Sequence, residues 1–258
     1  MKKIVFRGKP LKVPQSIDEL TPEQYVYYIY LGSWLTGGNI DLEFWRVRWF
    51  SYLAGMGASN YTILRPEFVA EAEALRDAVT SPFLVDSKTG KAPTFKTCRN
   101  LLPEYRGYKG PADWLNDVKF GEFVQCATLL EQEPTAADPE DIYRNIARVL
   151  YHVPDDEPVP DVLAWHAPVL FGAVWKEIQS GPVDINGKMV DFSIIFKSSG
   201  PRRPDDKTGW AGISFEVAAA GVFGNVAELD ASPFWAVLMY LYKCKFEYMH
   251  DKRNTLPK

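Results

Sequence analysis

Three histidines and three cysteines are the side chains of this 258-residue chain best suited to chemistry. His152, His166 and His250 each lack a second His, Cys or acid at a metal-ligand spacing such as HExxH. Cys98, Cys126 and Cys244 are odd in number and far apart, with no CxxC or CxxxC pair. That pattern predicts free thiols in a reducing compartment. Asp155, Asp156 and Glu157 supply oxygens for a hard cation, but the glycine and spaced ligands of a calcium loop are missing, so the run reads as a solvated turn. GxSxG, GxxxxGK[ST] and GxGxxG do not occur. Glu216, alone in an Ala-rich apolar stretch, is the one acid that calls for a check of burial. The expectation is a non-enzyme with no catalytic residue, no cofactor and no metal.

Arg99, Arg106 and Lys109 alternate with Tyr105, Tyr108 and Trp114 in the irregular stretch 98–120. Cations and stacking rings together suit single-stranded nucleic acid. Glu104, Asp113 and Asp117 interrupt the pattern and the chain carries a net charge of −4, so no nucleic acid is expected. The aromatics read instead as anchors of a long loop.

The elements that must position these groups are mostly helical. Apolar residues make up 47% of the chain and aromatics 14%, enough to build a packed core. No run reaches the ~20 apolar residues that span a bilayer. The opening MKKIVFRGKPLKVP lacks the apolar centre of a signal peptide, which predicts a cytoplasmic protein with no membrane association. Ile4, Phe6, Leu11 and Val13 alternate around Gly8-Lys9-Pro10 and predict a hairpin. Thr21-Pro22-Glu23-Gln24 is a capping box with Pro at the first helical position. Asp41 caps a helix whose apolar residues go most of the way round, predicting deep burial. Further helices are predicted over about 66–79, 120–132, 139–149 and 161–180, the last with a kink or fresh start at Pro168. Phe83–Phe95 reads as a hairpin or extended loop about Ser87-Lys88-Thr89-Gly90. Asn186-Gly187 is a type I′ turn signal inside 183–190.

The C-terminal run is the most regularly patterned. Thr208 is a candidate N-cap, Gly221 a C′ residue, Asn225 and Glu228 a capping box, and Ser232-Pro233 a helix start. Phe234, Val237, Leu238, Leu241, Cys244 and Tyr248 form one apolar stripe. The polar tract 197–207 is the predicted boundary between a body (1–200) and a C-terminal helical unit (201–258) packed on it as one globule. The fold class expected is α+β, predominantly α-helical: a bundle-like body with two or three small hairpins and a C-terminal helical unit. Trp210, Phe215, Phe223, Phe234, Trp235 and Tyr242 are the candidate surface for a protein partner, chosen for aromatic content.

Three stretches resemble a known group. VFRGKPLKVPQSIDELTPEQYVYYIYL, YKGPADWLNDVKFGEFVQCATLL and GWAGISFEVAAAGVFGNVAELDASPFWAVLMYLYKCK are similar to segments of tail-assembly chaperone-like proteins from tailed phages and prophages of Bacteroides-type bacteria. The resemblance implies a non-enzymatic factor that binds apolar helices of a tape-measure protein while tail-tube subunits gather. It carries no catalytic residue. A virion structural protein of the tail or neck is the second reading, and an enzyme or small-ligand binder the third. The sequence sets no oligomeric state.

Overall fold

The computed structural model describes residues 1–84, 98–136, 138–185, 187–196 and 208–255. The chain divides into two compact units, Met1–Thr97 and Cys98–Lys258. Eleven α-helices and three two-stranded antiparallel sheets among the described residues make a predominantly helical α+β fold.

In the first unit, β1 (Lys2–Phe6) pairs with β2 (Lys9–Val13), with Ile4 opposite Leu11 and Phe6 opposite Lys9. The turn is Arg7-Gly8, with φ of 53° and 71°, one residue earlier than the sequence suggested. Positive φ at both central residues is what a two-residue type I′ turn needs. Alternation buries Phe6 and Val13 and leaves Lys3 and Val5 outside. α1 (Pro22–Thr36) starts on the predicted capping box: the Gln24 N–H donates to Thr21 Oγ1 and the Thr21 N–H to Gln24 Oε1. α2 (Leu42–Leu53) starts on Asp41, whose carboxylate accepts from the Phe44 N–H at 2.7 Å. Trp45, Trp49 and Phe50 are fully buried. Phe44 is 45% exposed, so α2 is less enclosed than its composition predicted. It lies beneath the Arg48 guanidinium, 5.8 Å from the ring centre.

α3 (Ala58–Thr62) and α4 (Pro66–Thr80) complete the unit. Arg76 ties α4 to α2 through Glu43 and also meets Glu73. Phe6 meets Phe50 edge-on at 5.2 Å, and Trp49 meets Phe83 at 5.1 Å. Burying a side chain such as Phe50 contributes about 1.5–3 kcal/mol. This cluster, rather than the two-stranded hairpin, therefore holds the unit together. Of the hairpin or loop expected over 83–95, residues 85–95 lie outside the described residues; Phe83 is buried in a single 3-10 turn.

The second unit contains a hairpin that the sequence reading missed. β3 (Glu104–Tyr105) and β4 (Tyr108–Lys109) are joined by Arg106-Gly107, again with two positive φ values, 53° and 87°. α5 (Phe120–Gln132), α6 (Pro139–Tyr151) and α7 (Asp161–Ser180) follow. The acidic link between α6 and α7 is pinned at both ends. Arg148 donates to the carbonyls of Val153, Pro154 and Glu157, and Arg144 meets Asp161 at 2.9 Å. α7 runs through Pro168 as one helix, without the expected restart. Pro168 forfeits one backbone bond, and its buried neighbours Ala164, Ala167, Leu170 and Phe171 keep the helix in register.

β5 (Pro182–Ile185) and β6 (Lys188–Asp191) form the hairpin predicted there, with Gly187 at φ 78°; Asn186 lies outside the described residues. α8 (Ser193–Phe196) precedes the tract 197–207, which also lies outside them. α9 (Gly209–Ala219), α10 (Val226–Asp230) and α11 (Phe234–Thr255) match the predicted long-short-long order. Both bonds of the Asn225–Glu228 capping box form, and Gly221 takes φ 74°. Two caps differ. Thr208 makes no side-chain capping bond, and Ser232 gives its hydroxyl to the Glu228 carbonyl while the Pro233 carbonyl accepts the N–H of Val237.

No helix among the described residues is long and apolar enough to cross a membrane.

Candidate partner-binding surface

The six aromatics proposed from sequence as a partner surface do not share one environment. Trp210 and Phe234 are buried, 6% and 1% exposed, and belong to the core of the second unit. Phe234 stacks on Phe123 at 4.3 Å, and Trp210 meets Phe123 edge-on at 5.3 Å and Trp175 at 5.6 Å. Helical periodicity turns both inward, and composition alone could not tell an inward ring from an outward one. Trp235 is half-buried; its indole N–H donates to the Trp114 carbonyl at 3.0 Å and its ring meets Phe192. Tyr242 meets Phe192 on one side and Phe246 on the other. Phe223 meets Tyr240 edge-on. Phe215 alone of the six is exposed, at 65%.

Cover along α11 ends partway. Phe234, Val237 and Leu238 are buried, Leu241 and Tyr242 intermediate, and Cys244, Phe246 and Tyr248 exposed. The stripe predicted to be core from 234 to 248 is thus core only in its first two turns. Beyond them, Phe246 and Tyr248 are 54% and 47% exposed on different sides of the helix, and Lys243 meets Glu247 one turn on at 3.9 Å. The N-terminal end of the same helix is fixed. The Phe120 N–H donates to the Ser232 carbonyl and the Phe234 N–H to the Val118 carbonyl, a short antiparallel bridge that joins the starts of α5 and α11.

The stretch 98–118 is held by a dense set of hydrogen bonds, and its anchor is a residue the sequence reading passed over. Asn100 is 5% exposed. Its amide donates to the Pro111 carbonyl at 2.7 Å, and its oxygen accepts from the Leu102 N–H at 2.8 Å. That oxygen also lies 2.9 Å from His166 Nε2, which therefore carries the proton and donates. Burial lowers the His166 pKa to about 3, so the ring is neutral. The Tyr151 hydroxyl donates to the Leu102 carbonyl, and Gly110 lies so close to the Tyr151 ring that a Cβ there would come within 2.5 Å. Trp114 and Leu115 take φ of 61° and 56°, costly for large side chains. The Trp114 N–H donates to the Cys98 carbonyl, and Leu115 is fully buried. One signal was available in the sequence: an Asn two residues before its backbone partner is the pattern of an Asx turn.

His166 is packed in the core and holds the loop on α7. Glu216 is exposed. Burial pushes the Cys126 thiol far up, and Cys244 is exposed. A cleft of about 240 Å³ beside α5 collects Lys109, Asp117, Glu122 and His152. His152 Nδ1 is 3.7 Å from Glu122, but Asp117 and Glu122 already accept backbone N–H bonds from Ala112 and Lys119. Among the described residues no three His, Cys, Asp or Glu side chains are arranged to hold a metal ion. No protein-family model, curated protein or solved structure matches the chain.

Proposed function

We propose that the protein is a non-enzymatic assembly factor that binds apolar helical segments of another protein, in the manner of a phage or prophage tail-assembly chaperone acting on a tape-measure protein. The observation that carries this reading is the uncovered second half of α11, where Cys244 and Tyr248, which continue the buried stripe, and Phe246, stacked on Tyr242, are exposed. An amphipathic helix laid along α11 would cover these side chains with its own apolar stripe. The tape-measure protein as partner comes from the sequence resemblance.

The test is co-expression with the tape-measure protein of the same phage or prophage. The expected result is a soluble complex that is lost in a Phe246→Asp/Tyr248→Asp variant whose melting temperature is unchanged, with no copies of the chain in finished particles. Fixed copies in particles would make it a tail or neck component instead. A tape-measure protein equally soluble with the variant would overturn α11 as the binding surface.

A further inference from the structure

The first unit presents a second surface, independent of α11. Residues 1–17 hold Lys2, Lys3, Arg7, Lys9 and Lys12 and no Asp or Glu, a charge of +5 that leaves −9 on the rest of the chain. Lys3 stands directly opposite Lys12 across the β1–β2 pair, an arrangement that costs stability in a hairpin. Glu19 and Glu71 touch this segment through its N-terminus and backbone. Glu19 takes the Met1 ammonium and the Gln15 N–H. Glu71 accepts from the backbone N–H of Arg7.

Beside the turn opens a cleft of about 500 Å³ between the hairpin, the end of α2 and Phe68 of α4. Phe6, Leu11, Leu53 and Met56 supply apolar lining, with Arg7 and Lys9 also at its wall. The Arg7 guanidinium lies 5.0 Å over the Phe68 ring, so the cation is held at the cleft by stacking rather than by an ion pair. A space of this size accepts one large side chain with room for its backbone.

We propose that this cleft docks an acidic segment of a partner protein, seating one apolar side chain against Phe6, Leu53 and Met56 while flanking carboxylates meet Arg7 and Lys9. Apolar lining and unpaired cations together select a ligand with both features. A nucleic acid strand fits less well, because no aromatic platform faces outward on the hairpin for its bases to stack on.

The test is fluorescence anisotropy with the full chain and a labelled Ser-Asp-Asp-Leu-Asp-Asp-Ser peptide at low salt. The peptide should bind. Replacing its Leu by Ser should weaken binding, and Lys9→Glu, alone or with Arg7→Glu, should weaken it by about tenfold or more. Lys3→Glu/Lys12→Glu on the opposite face should cost much less. Circular dichroism melts check that each variant folds, and the single Lys9→Glu exchange on an exposed strand residue keeps the test open if Arg7→Glu does not. The proposal is overturned if the peptide does not bind, if the Leu is dispensable, or if the two charge reversals cost the same. Tighter binding of an oligothymidylate of equal charge would assign the surface to nucleic acid, and binding of decanoate without the peptide would assign it to a free amphiphilic acid.

Discussion

Asn100 bonds three neighbours at once in a buried space. Asn100→Ala removes its bonds to the Leu102 N–H, the Pro111 carbonyl and His166 Nε2. Each buried bond lost costs roughly 1–3 kcal/mol before relaxation, so a net loss of about 3 kcal/mol is expected, read as a lower urea midpoint at unchanged slope. His166 makes the same site sensitive to acid. The unfolded chain takes up a proton near pH 6.5, while the folded ring resists until about pH 3. Its contribution is therefore full above pH 6.5 and falls as pH drops toward 3, by roughly 1.4 kcal/mol per pH unit for one proton. His166→Gln keeps a donor toward Asn100 and removes the titration. A plot of unfolding free energy against pH should be flatter for this variant between pH 6 and 4, by about one proton; parallel curves would exclude His166 as the source. Apart from the Asn100 turn, this network was not readable from the sequence, because His166 is 66 residues from Asn100.

Among the elements, local chemistry predicted best where it is self-contained. Both capping boxes, the Asp41 cap and the Gly221 end need only neighbouring residues, and all are present. The β3–β4 hairpin was missed because its turn is Arg106-Gly107 rather than Asn-Gly, yet the same Arg-Gly pair closes β1–β2. The candidate surface failed in part for a different reason. Helical spacing shows that a stripe exists, but where its cover stops depends on how far α5 and α8 reach along α11, which is a tertiary fact. Phe234 and Phe246 fall on opposite sides of that limit. Phe234→Ala should therefore cost about 3–5 kcal/mol, since it empties the place stacked on Phe123. Phe246→Ala should change stability by less than about 0.5 kcal/mol. Thermal melts of the two variants side by side check both.

On the scale of the whole molecule, the division falls at Thr97/Cys98, and charge divides with it. The first unit has 12 Lys and Arg against 10 Asp and Glu, a net of +2; the second has 17 against 23, a net of −6. Each unit has its own aromatic core, Trp45–Trp49–Phe50 in one and Phe123–Trp210–Phe234 in the other. A fragment of residues 98–258 should then fold alone, with a cooperative melt and a tryptophan spectrum typical of buried rings. A fragment that melts without cooperativity would show that the second core needs the first unit.

The bridge between Val118–Phe120 and Ser232–Phe234 also sets an order of events in time. The start of α5 leaves the ribosome more than a hundred residues before its partner does, a gap that follows from the numbering of the two bridged segments. Until Phe234 is made, Phe123 has no ring stacked on its face. The second core therefore cannot close during most of its own synthesis, whereas the first unit, complete by Thr97, can fold while translation continues. A nascent chain stalled before residue 232 would carry exposed Phe and Trp side chains and would itself need protection from aggregation.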